Sequence, residues 1–144
     1  MIRFEDLLRP TPAGLYCPPG DFHVDPVQPV DRAVITHGHA DHARPGHGAV
    51  LATPRTFAIM AERYGAGFAG REQPVAYGET VSHNGVEVTL VPAGHVLGSA
   101  QAVVRWKGVT MVAPFQRITA WADPSTWPAG TRVTSTPLWE AVSP

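Results

Sequence analysis

The stretch "VITHGHADHARPGH", residues 34–47, places four of the chain's seven histidines within fourteen residues, together with one aspartate. Histidine is both a good metal ligand and a proton carrier near neutral pH. Clustered imidazoles add nothing to packing and repel one another when protonated, so a His-x-His-x-Asp-His block predicts a metal site. The preceding residues "RAVIT", 32–36, are typical of a buried strand, and we therefore expect the block on a loop at the end of a strand.

The spacing of the block indicates which side chains can converge on an ion. His37 and His39 are two residues apart, so that on an extended segment their side chains point to the same side. Asp41 and His42 follow where a turn can direct them to a second point. His95, in the glycine-flanked "AGHVLG", can supply a further ligand from another loop. Zinc and manganese both suit such histidine and carboxylate ligands.

The predicted metal indicates a reaction class. A catalytic zinc keeps one coordination position for water and lowers the pKa of that water from about 15.7 to about 7. Asp41 is the predicted catalytic residue, since its carboxylate can hydrogen-bond the attacking water. The residues therefore favour a metal-dependent hydrolase.

Composition limits the remaining possibilities. The 144 residues are enough for one domain with a hydrophobic core, and 44% of them are hydrophobic. The net charge of −1 provides no overall basic field to attract nucleic acid. A single cysteine, Cys17, excludes an intramolecular disulfide and a cysteine-rich zinc module. No stretch resembles a signal peptide or a membrane span, so we expect a cytoplasmic protein.

Local patterns predict strands alternating with at least one helix, which is typical of a layered α/β fold. We expect strands at "FHVDP" (22–26), "RAVIT" (32–36) and "AVLAT" (49–53), and hairpins that turn at Asn84-Gly85 and Lys107-Gly108. A helix is expected to begin after Thr53, with proline at its first position, and to stop at Gly65. Its predicted buried face consists of Phe57, Met60, Ala61 and Tyr64.

The motif "THGHADH", residues 36–42, resembles the His-x-His-x-Asp-His motif of the metallo-β-lactamase fold. The resemblance implies a four-layer αββα sandwich with a dinuclear zinc site between the sheets. By that resemblance His37, His39 and His95 would hold one metal, and Asp41 and His42 would bind the second.

Two further stretches narrow the resemblance. "VPAGHVLGSAQ", residues 91–101, resembles the nucleic-acid-processing β-CASP branch of the fold. The opening, from "RFEDLL" to the histidine block, is similar to bacterial ligase-associated DNA exonucleases, also called mRNA 3′-end processing factor-like proteins. The resemblance implies a DNA or RNA substrate, an exonuclease-like activity on phosphodiester bonds, and a DNA ligase partner.

The similarity stops near Ala113. After a strand like "GVTMVA" the family has Ser-Gly-Asp, whose aspartate bridges the two metals, whereas this chain continues Ala113-Pro114-Phe115-Gln116. We therefore divide the chain into 1–113, the N-terminal part of a metallo-β-lactamase-like domain, and a divergent tail, 114–144. We hypothesise that a reading-frame change replaced the tail. With the bridging carboxylate missing, we expect one zinc instead of two and weak or no activity.

Two other functions remain open at this point. The first is a small-molecule ester or thioester hydrolase of the same fold, which the near-neutral charge suits. The second is a non-catalytic metal-binding remnant. For a nuclease, the candidate basic residues are Arg44, Arg55, Arg63 and Arg71, each of which is more simply a solvated surface residue.

Overall fold

The computed structural model of the chain describes residues 1–113, which form two β-sheets and two helices. In chain order the elements are α1 (Phe4–Leu7), β1 (Arg9–Thr11), β2 (Gly14–Cys17), β3 (Phe22–Val24), β4 (Arg32–Val34), β5 (His47–Ala52), α2 (Pro54–Tyr64), β6 (Ala69–Pro74), β7 (Thr80–His83), β8 (Val86–Pro92), β9 (Ala100–Trp106) and β10 (Val109–Ala113).

The two sheets differ in strand direction. The first has the order β1-β2-β3-β4-β5-β6, with antiparallel pairing from β1 to β3 and parallel pairing from β3 to β6. The second has the order β10-β9-β8-β7 and is antiparallel throughout. Because β3, β4 and β5 run parallel, the residues that follow each of them emerge at the same edge of the first sheet. That edge carries the histidine block.

The main hydrophobic core lies between the sheets. Alternate side chains of β8, Val86, Val88 and Leu90, point into it, as the two-residue period of a strand requires. From the first sheet it receives Phe22, Val24 and Val34, which are almost completely buried. Cys17 also lies in this core, and burial raises the pKa of its thiol to about 11.

Helix α2 covers the outer face of the first sheet and has the predicted ends. Thr53 is the N-cap, and Gly65 closes the helix with a φ of 80°. Phe57 and Met60 are buried against the sheet, as predicted. The prediction for Ala61 was wrong: it is exposed, and Thr56 is buried instead because its hydroxyl reaches the loop that carries His95.

Both predicted hairpins are confirmed. Asn84 and Gly85 have φ values of 51° and 78°, and Lys107 and Gly108 have values of 47° and 81°. Two consecutive positive φ values are what a two-residue hairpin turn of type I′ needs. The predicted strands form with shifted bounds: "RAVIT" ends as a strand at Val34, and the strand containing "AVLAT" begins earlier, at His47.

The predicted α/β class is confirmed: helix α2 and the two sheets form successive layers. Among residues 1–113 no helix is long and apolar enough to cross a membrane. The predicted divergent tail, 114–144, lies outside the described residues.

Candidate metal centre

The candidate centre lies where three connections meet: the segment after β3, the histidine block after β4, and the loop between β8 and β9. The two sheets are joined here by a backbone hydrogen bond in which Ala100 N–H donates to the Thr36 carbonyl at 2.7 Å. This bond brings the start of β9, and the loop before it, beside the histidine block.

Three imidazoles form the centre of the site. Ligand nitrogens of His37, His39 and His95 all lie within 4.8 Å of one another. His39 Nδ1 and His95 Nε2 are 3.2 Å apart. The rings meet edge to face, with centroids 5.1 Å apart for His37–His39, 5.2 Å for His37–His95 and 4.8 Å for His39–His95. His37 is buried at the base, whereas His39 and His95 are exposed to solvent.

His37 is the buried member of the cluster, with only 2% of its surface exposed. Its Nδ1 lies 2.9 Å from Thr36 Oγ1, while its Nε2 is buried and has no hydrogen-bond partner among the described residues. Burial, followed by repulsion from His42, lowers the pKa of His37 to about 4. The ring is therefore neutral near pH 7, as a metal-ligating imidazole must be.

Asp25 is a site residue that the sequence reasoning missed. Its carboxylate accepts hydrogen bonds from Thr36 N–H (2.8 Å), from the Thr36 hydroxyl (2.5 Å) and from His42 Nδ1 (2.9 Å). This hydrogen bond to Asp25 is the main reason that the pKa of His42 is raised. The signal in the sequence was a carboxylate near the end of the short strand predicted at 22–26; in the structure that strand ends at Val24, so that Asp25 follows it as the histidine block follows β4.

These hydrogen bonds set the tautomers of two imidazoles. His42 gives its Nδ1–H to Asp25, which leaves the Nε2 lone pair available to an ion. The Thr36 hydroxyl gives its proton to Asp25 and so accepts one from His37 Nδ1–H, which leaves His37 Nε2 available as well. Carboxylates and hydroxyls beyond the ligands commonly orient metal-binding histidines in this way.

Asp25, His37 and His42 form a second group whose ligand atoms also lie within 4.8 Å of one another. The His37 and His42 ring centroids are 4.1 Å apart. Since the Asp25 carboxylate already accepts hydrogen bonds from Thr36 and His42, we assign it the role of orienting ligands instead of binding an ion itself.

Asp41 lies on the solvent side of the site. Its side chain is 75% exposed, and its Oδ2 is 3.5 Å from His42 Nε2. It belongs to neither of the two candidate groups found in the described residues. The structure therefore brings His37, His39 and His95 together, holds His42 beside His37, and leaves Asp41 at the rim.

The loop that carries His95 is fixed at both ends. Ser99 Oγ accepts hydrogen bonds from the backbone N–H groups of His95 (3.0 Å) and Val96 (3.2 Å). The hydroxyls of Thr53 and Thr56 donate to the Gly98 carbonyl at 2.7 and 3.2 Å. Through these bonds the N-terminus of α2 positions His95.

The remaining histidines lie outside the cluster. His47, at the start of β5, is buried, and its Nδ1 accepts a hydrogen bond from Val30 N–H at 3.2 Å. His23 stacks on Tyr16 with ring centroids 4.7 Å apart, and His83 ends β7. None of the three is in a candidate metal group of the described residues.

Comparison with known proteins identifies the family. The family described as "Beta-lactamase superfamily domain" matches residues 4–136. The chain belongs to the metallo-β-lactamase superfamily. The match runs past Ala113 into residues outside the described part, and the division of the chain at Ala113 remains a prediction.

One relative and one solved structure show how far the likeness of this superfamily member extends. The "Probable DNA ligase" of Opitutus terrae is 34% identical over 91 residues, which cover 63% of this chain and 9% of that protein. The chain thus spans about a tenth of that relative. A structure described as "Putative metal-dependent hydrolase", from Parabacteroides distasonis, superposes with a TM-score of 0.50 and 18% identity, covering 68% of this chain and 53% of that one. This second likeness concerns the fold alone.

Superfamily members are typically metal-dependent hydrolases, and the residues of this chain fit a metal ion. The buried Nε2 of His37 has no partner among the described residues, and His37 belongs to a group of three imidazoles, whose nitrogens a zinc ion prefers as ligands. The arrangement leaves one side open to solvent, at the exposed His39 and His95. An open side is what distinguishes catalytic zinc sites from closed structural ones.

Proposed function

We propose that this metallo-β-lactamase superfamily chain carries the metal-binding part of a hydrolase that cleaves nucleic-acid phosphodiester bonds, with an exonuclease-like activity of the β-CASP branch. The observation that carries the proposal is the convergence of His37, His39 and His95 from two loops, together with the buried and unpartnered Nε2 of His37. The similar segment in a protein named as a DNA ligase supports a nucleic-acid substrate and a ligase partner.

Each proposed ligand has a defined part. His37, His39 and His95 hold one zinc, with manganese as the other suitable metal. When bound, the metal lowers the pKa of a water ligand towards 7 and makes it a nucleophile near neutral pH. Asp25 keeps the ring of His42 oriented, and the Thr36 hydroxyl does the same for His37.

Asp41 is the proposed general base. Its exposed carboxylate, 3.5 Å from His42 Nε2, is free to accept a proton from the water that attacks phosphorus. We propose that His42 and Asp41 together hold a second metal only weakly, because two ligands are too few for tight binding. Activity of the 144-residue chain is therefore expected to be weak.

The experiment compares hydrolysis of single-stranded DNA, single-stranded RNA and a thioester by the metal-loaded chain. We expect slow cleavage of a phosphodiester substrate that EDTA stops and that His39→Ala abolishes. His83→Ala is the matched control, since His83 lies at the end of β7, outside the cluster. Its cleavage rate should equal that of the wild type.

Two outcomes would contradict the proposal. Hydrolysis of the thioester with both nucleic acids left intact would establish the small-molecule hydrolase instead. A chain that holds zinc and hydrolyses none of the three substrates would establish the non-catalytic alternative.

A further inference from the structure

A groove of about 440 Å³ lies beside the candidate metal centre, between α2 and the loop that carries His95. Its volume is within the range of about 300–1,000 Å³ that ligand sites typically have. Its lining residues are Arg55, Ala58, Ile59, Glu62, Arg63 and Leu97.

The groove adjoins the backbone that carries the histidine cluster. Gly38, between His37 and His39, packs so closely on Ile59 that a Cβ at Gly38 would lie 2.8 Å from that side chain. Arg63 Nη1 donates a hydrogen bond to the Gly38 carbonyl at 2.7 Å. On the other side, Leu97 follows His95 by two residues. A molecule lying in the groove is therefore adjacent to the ligand-bearing backbone on both sides.

The lining combines positive charge with an apolar surface. Arg55 and Arg63 are exposed, and neither makes an ion pair within residues 1–113. Glu62 is the single acidic residue among the lining residues. Leu97 is 62% exposed and offers an apolar contact surface in the same groove as the two guanidinium groups.

We infer that this groove, which we call the α2 groove, binds the single-stranded nucleic acid that the centre cleaves. A phosphate would lie against Arg55 and Arg63, and the adjoining base against Leu97 and Ile59. Proteins that bind single strands without sequence preference use this combination of backbone-tracking cations and apolar contacts to bases. The inference rests on the proposed function, because it names the part of the chain that contacts the proposed substrate.

The test measures binding of a fluorescein-labelled single-stranded oligonucleotide by anisotropy, with EDTA present so that no cleavage occurs. Arg55→Gln is expected to weaken binding roughly fivefold to tenfold and to lower the slope of log K against log salt by about 0.7, the value for one lost phosphate contact. Leu97→Ser is expected to weaken binding roughly threefold, with an unchanged salt slope, because it removes apolar contact only.

Arg71→Gln is the matched control, since Arg71 is an exposed arginine on β6 and does not line the α2 groove. Equal weakening by Arg55→Gln and Arg71→Gln, or no binding of the oligonucleotide by the wild-type chain, would overturn the inference. If the wild-type chain cleaves a phosphodiester substrate but Arg55→Gln binds the oligonucleotide as tightly as the wild type, the α2 groove is not the binding site. The proposed function would then be unaffected. Binding that Arg55→Gln and Leu97→Ser weaken but Arg71→Gln does not, without any cleavage by the wild-type chain, would support the α2 groove as the binding site. It would count against the proposed hydrolysis.

Discussion

His95 Nε2 lies 3.2 Å from His39 Nδ1, although 56 residues separate the two along the chain. The histidine block follows a parallel strand of the first sheet, while His95 comes from the loop between two antiparallel strands of the second. Packing of the sheets against each other is therefore what assembles the candidate metal centre. Variants that loosen the connection between the sheets are expected to weaken metal binding without changing any ligand.

Replacing Asp25 tests whether this carboxylate orients the ligands. Asp25 has a φ of 46°, a conformation that asparagine also tolerates, so Asp25→Asn preserves the backbone. Asparagine has one acceptor oxygen, and its NH2 group accepts no hydrogen bond, so it cannot serve Thr36 N–H, the Thr36 hydroxyl and His42 Nδ1 together. We expect zinc affinity to fall roughly 10- to 100-fold. Isothermal titration calorimetry measures the change.

The control for Asp25 is Asp31→Asn, which changes an exposed carboxylate on the same connection between β3 and β4. It should bind zinc as the wild type does. Unchanged affinity in Asp25→Asn would show that the hydrogen bonds to Thr36 and His42 do not support the centre.

Thr53 is expected to couple helix stability to the position of His95. Its side chain accepts the N-cap hydrogen bond from Thr56 N–H at 3.3 Å and donates to the Gly98 carbonyl at 2.7 Å. Thr53→Val removes both bonds, and we expect the free energy of unfolding to fall by about 1–2 kcal/mol, with weaker zinc binding. Thr53→Ser retains the hydroxyl and should behave like the wild type in urea denaturation and zinc titration. A valine variant that matches the wild type in both measurements would exclude the coupling.

The parts of the fold that depend on local signals were predictable. The helix cap at Thr53, the stop at Gly65 and the turn at Asn84-Gly85 are each set by the conformational preferences of the residues themselves. Strand β6, "AGREQP", was not predicted, because a stretch with glycine, proline and charges has neither alternation nor an apolar run. It forms through pairing with β5, which no local pattern reveals.

The same difference between local signals and long-range contacts decides which site residues could be predicted. The histidine block was visible as a motif, whereas Asp25 was not, because its contact with His42 spans 17 residues and depends on the parallel pairing of β3 and β4. The spacing of Asp41 and His42 also did not indicate that the carboxylate would be exposed at the rim while the imidazole turns inward to Asp25.

His47 is expected to make the fold sensitive to acid. Burial, with a smaller contribution from His23, lowers its pKa in the folded chain below the unfolded value of about 6.5. Between these two values the unfolded chain binds more protons, so stability falls as the pH drops below about 6.5. His47→Asn removes the titration and keeps an acceptor for Val30 N–H.

The measurement is urea unfolding between roughly pH 7.5 and pH 5.5 in EDTA, with the wild type and His47→Asn compared under identical conditions. The loss of stability on acidification should be smaller in His47→Asn. Because His37 titrates in both proteins, the difference between them isolates His47. Equal losses would mean that His47 does not titrate differently in the folded and unfolded chain.

The central claim is that His37, His39 and His95 hold one metal ion, and zinc content per purified chain tests it most directly. We predict about one zinc in the wild type, since three imidazoles and an open position complete a catalytic site. The zinc should be lost in His37→Ala and in His39→Ala. The second variant disturbs the fold less, because the His39 side chain is exposed. The zinc should be largely kept in Asp41→Ala. Two tightly held zinc ions, or a single one that survives His39→Ala, would contradict the account.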